Sequence, residues 1–129
     1  MLTENDRQLL RGKNYAQFVT LNPDGTPQAT PIWIDADDEG NVVVNTAVGR
    51  RKDRNARRDP RVAVSLFASD DPLTYLSVNG TVVRRVDEPE ALAHIDALSR
   101  RYDDKPWRPV EGQRRVMLLI RPDHVLRGD

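Results

Sequence analysis

The sequence predicts a mainly β protein, a small antiparallel β-barrel with peripheral helices, with residues 1–129 forming a single domain. Six short runs rich in β-branched and aromatic residues follow one another at close spacing. Several are joined by Asn/Asp/Pro/Gly clusters of the kind that make hairpin turns. Only one stretch carries a long apolar stripe at helical spacing. A chain of this size buries about two-thirds of its unfolded surface in one core.

Thr3-Glu4-Asn5-Asp6 reads as a helix start with an acidic first turn, and Leu9 and Leu10 give that short helix an apolar face before it ends near Gly12. Tyr15 to Leu21 is a strand, and Asn22-Pro23-Asp24-Gly25 turns the chain back, since proline fixes one backbone angle and glycine supplies a positive one. The antiparallel return, Thr26 to Asp35, alternates Ala29, Pro31, Trp33 and Asp35 with Gln28, Thr30, Ile32 and Ile34. Pro31 confines it to a sheet edge or an irregular stretch. Asp37-Asp38-Glu39-Gly40-Asn41 is a second turn, and Val42 to Ala47 is a β-branched strand running directly into a basic segment. Arg61 to Ala68 alternates Val62, Val64 and Leu66 with Ala63, Ser65 and Phe67, and Asp70-Asp71-Pro72 closes it. Tyr75 to Val86 is a long strand with a bulge or tight bend at Asn79-Gly80. Asp87 is expected to cap a helix with Pro89 and Glu90 in its first turn and Leu92, Ile95, Leu98 and Tyr102 along its apolar stripe. After the irregular connector Lys105 to Pro109, Arg114 to Ile120 is the last clear strand, continuing loosely through His124 and Val125.

The absence of cysteine excludes disulfides, thiolate catalysis and cysteine-ligated zinc or iron–sulfur centres. The two histidines, His94 on the main helix and His124 near the C-terminus, are too few for a paired metal site and read as a solvated helix residue and a structural one. Ser65, Ser69, Ser77 and Ser99 lie outside any nucleophile elbow or Ser-x-x-Lys context, and no Walker or Rossmann glycine loop is present. Enzymatic chemistry here would rest on a bound cofactor. The first residues lack the apolar core of a signal peptide and no run reaches membrane-spanning length. The expectation is a soluble, cytoplasmic protein with no membrane partner.

Charge is where the sequence is most uneven. Residues 50–61 hold seven Lys/Arg against two Asp in a chain of zero net charge, whereas residues 1–49 hold three against seven. A local anion is implied instead of a generally basic protein. With a pI of about 6.7 and only two Trp, three Tyr and two Phe, the chain fits a phosphate-bearing cofactor better than a nucleic acid. If residues 50–58 are helical, Lys52 and Asn55 share a face, the helix start offers free amides, and Arg50 adds a guanidinium at the junction. The alternative is a solvated helix with Asp53 and Arg57 paired at i,i+4.

Gly49-Arg50-Arg51-Lys52-Asp53-Arg54-Asn55, followed by Arg58-Asp59-Pro60-Arg61-Val62-Ala63, resembles the signature of the pyridoxamine 5'-phosphate oxidase-like split-barrel flavoproteins, most closely the short-chain branch that uses the deazaflavin coenzyme F420. Phe18 to Gly25 with Pro27-Gln28, the strand Pro31-Ile32-Trp33 and the later Asn79-Gly80-Thr81-Val82 fall in that family's order, so the resemblance spans nearly the whole chain. It implies a six-stranded, FMN-binding-like split barrel and a homodimer with two cofactor sites at the subunit interface. It also implies that Arg50, Lys52 and Asn55 hold the cofactor phosphate, that Thr30, Pro31, Ile32 and Trp33 lie along the ring system, and that Thr46 and Ala47 lie beside it. Tyr75 and Arg115 match positions that reach the site from the partner subunit. Taken by themselves, Trp33 and Tyr75 read equally as barrel or interface packing.

The sequence departs from authentic pyridoxamine phosphate oxidases in lacking their C-terminal segment for the substrate phosphate, so vitamin B6 oxidation is not the expected activity. The expected activity is hydride transfer between the reduced deazaflavin and an electron-poor small molecule. FMN is the alternative cofactor, and cofactor binding without turnover is the alternative function. The surplus of arginines, Arg51 with Arg54, Arg57 and Arg58, favours the more anionic F420.

Overall fold

The structure of the chain, a computed structural model, describes residues 1–128. Helix α1 (Glu4–Arg11) starts at a capping box, in which Asp6 N–H donates to Thr3 Oγ1 at 3.1 Å and Thr3 N–H to Asp6 Oδ2 at 2.8 Å. Strands β1 (Tyr15–Leu21) and β2 (Pro27–Trp33) form a hairpin whose turn holds Gly25 at φ 86°. There follow β3 (Asp35–Ala36), β4 (Val42–Ala47), α2 (Arg51–Arg58), β5 (Arg61–Ala68), β6 (Asp71–Val86), α3 (Glu90–Asp103) and β7 (Arg115–Gly128).

All the strands join one antiparallel sheet in the order β2-β1-β5-β6-β7-β4-β3, curled into a half-barrel. Alternation builds the core: Phe18, Val64, Val78, Leu118 and Ile120 point inward and are no more than 1% exposed. β4 is buried along its whole length, because Val42 and Val44 join that core while Asn45 meets α3, donating from Nδ2 to Ala91 O at 2.8 Å. β2 is an edge strand, the place where Pro31 is tolerated. Gly80 sits at a register shift, and a Cβ there would lie 2.5 Å from Arg121 O, so only glycine fits the close approach.

Four expectations need correction. The single strand expected from Thr26 to Asp35 breaks at Ile34, giving a short seventh strand, β3. Ile34 leaves the ladder because its N–H donates to Tyr102 Oη at 3.1 Å and its carbonyl accepts from Arg101 Nη1 at 3.0 Å. Helix α3 begins at Glu90 with Pro89 at the N-cap, and Asp87 instead accepts from Glu88 N–H and Arg114 Nε, both at 2.8 Å. β6 starts at Asp71 instead of Tyr75, because Ala68 pairs with Asp71 across a shifted register. β7 runs on to Gly128, paired to Tyr75.

Tyr102 ties these pieces together. Its buried hydroxyl also donates to Asn14 O at 2.6 Å, so one group from α3 serves the start of β1 and the β2–β3 break, and burial raises its pKa. Tyr102→Phe leaves the Ile34 N–H and the Asn14 carbonyl unpaired in the interior and is expected to destabilise the fold by about 1–3 kcal/mol. A change in unfolding free energy of less than about 0.5 kcal/mol by urea denaturation would show that water reaches both groups.

Candidate functional site

Gly49, at φ 92°, makes the turn that takes the chain from β4 into α2 and leaves Arg50 as the helix N-cap. Asp53, 1% exposed, fastens that turn from inside by accepting from Gly49 N–H at 2.8 Å. Its carboxylate also lies 2.6 Å from Arg85 Nη2 and 3.6 Å from Arg57 Nε. With Asp53 turned inward, Arg50 and Lys52 turn toward a cleft. The β4–β7 register sets Arg115 opposite Ala47 and so delivers a third cation to the same place.

The cleft holds about 360 Å3. Pro31, Ile32 and Trp33 form one wall; Asn45 and Thr46 of β4, Ile95 and Leu98 of α3, and Tyr15 and Trp107 complete it around the cations. Trp33 stacks on Tyr102 with ring centroids 5.3 Å apart and planes 6° from parallel, and meets Trp107 edge-on at 6.4 Å. The wall is therefore rigid and aromatic at one end and cationic at the other.

Arg115 is 4% exposed, with its guanidinium 5.1 Å from the Trp107 ring, Nε donating to Asn45 Oδ1 at 2.9 Å and Nη1 to Gln113 Oε1 at 3.1 Å. Burial, and then the Arg50 charge, push its pKa down to about 10. Lys52 is lowered as well, by burial first and then by Arg50 and Arg115. Among the described residues no carboxylate forms an ion pair with these three side chains; Glu88, the nearest influence, accepts from the Arg115 backbone N–H at 2.8 Å. Thr46 Oγ1 is buried on the cleft wall without a hydrogen-bond partner. Three cations held together against their mutual repulsion, beside an unspent hydroxyl, fit a phosphate group.

Of the residues expected at a site, Pro31, Ile32, Trp33, Thr46, Arg50, Lys52 and Arg115 line this one cleft. Arg115, expected from the partner subunit, stands in its own chain's cleft, because β7 pairs directly with β4. Thr30, Ala47 and Arg51 lie outside the lining, Ala47 being buried and Arg51 exposed. Asn55 is 2% exposed and spent: Nδ2 donates to Thr20 Oγ1 and Asn22 Oδ1, each at 3.1 Å, and Oδ1 accepts from Arg58. It pins α2 to the β1–β2 turn. Tyr75 lies across the sheet beside Gly128 and Arg127.

The sequence does not single out Tyr15, Asn45 or Trp107 as site residues. Asn45 carries a signal, since it is the one amide in the β-branched run Val42 to Ala47. Ile95 and Leu98 belong to a helical stripe that reads as packing, and they pack and line the cleft at once. His94 is not a solvated helix residue: its side chain is 11% exposed and bound at both ring nitrogens. Among the described residues no cluster of His, Cys, Asp or Glu could hold a metal ion, and no helix is long and apolar enough to cross a membrane.

The curled antiparallel half-barrel is a flavin-binding oxidoreductase fold. The chain belongs to the pyridoxamine 5'-phosphate oxidase family, whose model matches residues 2–126. It is similar to a solved F420 reductase, with 32% identity, a TM-score of 0.84, and 97% of this chain and 98% of that one covered. It is also similar to the conserved hypothetical protein Rv2991 from Mycobacterium tuberculosis, with 26% identity, a TM-score of 0.77, and 100% and 86% coverage. General Stress Protein 26 from Bacillus anthracis shares the fold, at 20% identity and a TM-score of 0.70 over 95% of this chain and 89% of that one.

Proposed function

We propose that the protein is an F420-dependent reductase, passing a hydride between the reduced deazaflavin coenzyme and an electron-poor small molecule. The observation that carries this reading is the cationic end of the cleft, Arg50, Lys52 and Arg115 without a carboxylate partner among the described residues, next to an apolar wall. The similarity to an F420 reductase over 97% of the chain favours the deazaflavin over FMN. Arg50, Lys52, Arg115 and Thr46 would hold the coenzyme phosphate, and Pro31, Ile32 and Trp33 would lie along its ring. The bound coenzyme supplies the hydride chemistry. Among the described residues no carboxylate or imidazole lines the cleft, so the protein's part in this reading is to bind, orient and keep water from the ring. Arg51 and Arg54, exposed on α2 outside the lining, would add long-range positive potential toward an anion.

The reading includes a cytoplasmic homodimer. Its support in the chain is an outward patch on the sheet, Phe67, Leu73, Tyr75 and Leu126, each at least 37% exposed, with Phe67 paired to Tyr75 across β5 and β6. Tyr75 would reach the site from this surface of the partner.

The test is a calorimetric or fluorescence titration with F420 and, separately, FMN at matched ionic strength, with sedimentation to give the subunit count. Micromolar or tighter F420 binding with weak FMN binding is expected. The reverse preference would make this an FMN protein, and binding of neither would return the arginine cluster to a solvated surface. Binding without turnover across a substrate screen would make it a cofactor carrier.

A further inference from the structure

Asn45 is oriented by two partners of fixed character. Arg115 Nε can only donate and reaches Asn45 Oδ1 at 2.9 Å, while the Ala91 carbonyl can only accept and lies 2.8 Å from Asn45 Nδ2. The same Nδ2 lies 3.0 Å from His94 Nδ1. A donor facing Nδ1 requires a lone pair there, so the imidazole proton is on Nε2, where it meets Asp35 Oδ2 at 2.9 Å. Asp35 is in turn held by Arg101 Nη2 at 3.0 Å on its other oxygen. An unbroken chain thus runs from Asp35 through His94 and Asn45 to the most buried cation of the cleft. His94 itself does not line the cleft.

We infer that His94, fixed as its Nε2–H tautomer, is a positioning residue that orients the Arg115 guanidinium through Asn45, and that protonation of His94 releases that guanidinium. A second ring proton would go to Nδ1 and face the Asn45 amide donor. Turning the Asn45 carboxamide over satisfies His94 but sets its NH2 against Arg115 Nε–H and takes the donor away from Ala91 O. One contact is gained and two are lost. Arg115 then keeps Gln113 and Trp107 but loses the bond that sets the plane of its fork.

The charged groups facing His94 are Asp35 from β3, Arg101 from its own helix by way of Asp35, and Arg115 from β7 by way of Asn45. Burial raises the Asp35 pKa, but hydrogen bonds from His94 and Arg101, with the Arg101 charge, outweigh it and hold the carboxyl below its ordinary value. Asp35 is therefore a carboxylate, and it offsets the charge that a second ring proton would add. What changes in the cleft is the orientation of Arg115 more than the local potential.

The inference deepens the cofactor-site reading, and its test needs no cofactor. Nitrogen NMR of the histidine ring and solvent exchange of the Arg115 Nε–H would be followed across about pH 5 to 8, where imidazole ordinarily titrates, with an exposed arginine in the same sample as the reference. The expected ring pattern is Nε2–H. Relative protection of Arg115 Nε–H is expected to fall together with His94 protonation. In His94→Phe, where Asn45 keeps its contacts to Ala91 O and Arg115 and no ring proton can oppose its amide, the protection is expected to be flat with pH. His94→Asn, whose amide oxygen can accept from Asn45 and cannot titrate, should keep the protection at every pH. An Nδ1–H ring pattern, protection in the wild type that ignores His94 protonation, or failure of His94→Asn to retain it would overturn the inference. The wild-type pH series decides the matter even if His94→Phe does not fold. F420 is then added as a probe: the NMR result holding while F420 does not bind would remove the cofactor reading and leave the positioning of Arg115 intact.

Discussion

Lys52→Met is expected to weaken F420 binding by about 1.5–3 kcal/mol while leaving the unliganded protein as stable as before or more so. In affinity that is a loss of about tenfold to a hundredfold. The loss follows from removing a charge-assisted contact to phosphate. The gain follows from the direction of the lysine's own shift: burial, Arg50 and Arg115 lower its pKa in the fold. A lysine lowered on folding destabilises the folded state fully at any pH below its folded pKa, and the penalty vanishes only above the unfolded value of 10.5. Neutral pH lies inside the penalised range, so an uncharged side chain of similar length relieves repulsion that an anion would otherwise relieve. Fluorescence titration and thermal unfolding of the same preparation check both halves. Unchanged affinity would remove Lys52 from the site, and a markedly lower Tm would recast it as a structural residue.

Asp53→Ala acts in the opposite sense, on the frame instead of the grip. The carboxylate is 1% exposed, accepts from Gly49 N–H at 2.8 Å, and neutralises Arg85 at 2.6 Å, although its Oδ1 has no aligned hydrogen bond. Removing one member of a buried pair costs about 3–5 kcal/mol. Arg85 and Arg57 remain 29% and 54% exposed and can turn to water, so the expected loss is near the lower end, about 3 kcal/mol. Arg50 loses its fixed turn in the same step, so affinity for the anionic cofactor should fall as well. Urea denaturation gives the stability and the titration above gives the affinity. A loss below about 1 kcal/mol would mean that the carboxylate was compensated by water all along.

The sequence carried most of the fold because the strands are specified locally. β1, β4 and β5 have the boundaries that alternation and turn residues assign them. The break at Ile34 was illegible because its cause, the Tyr102 hydroxyl, lies 68 residues further along the chain. The site divides the same way. Arg50 and Lys52 were legible as a dense local run, and Arg115 only through resemblance. Lys52 and Asn55 were expected to share a face, yet α2 is packed so that Asn55 meets the β1–β2 turn while Lys52 meets the cleft. Which side of a two-turn helix faces inward depends on Asp53 finding Gly49 and Arg85, a tertiary fact. The environment of His94 is illegible for a similar reason, since Asp35 and Asn45 come to it from strands far away in sequence.

The strand order also fixes when the cleft can exist. β2, β1, β5 and β6 are neighbours in the sheet, and all of them precede residue 87, so a growing chain can pair them as it emerges. β4 has no partner among those four. It joins the sheet only through β7, the last strand made, and β7 also carries Arg115. The cationic cluster that begins early in the sequence is therefore completed at its far end: α2 can be pinned to the β1–β2 turn and to β6 beforehand, but β4 and the third cation of the cleft take their places only with the closing strand.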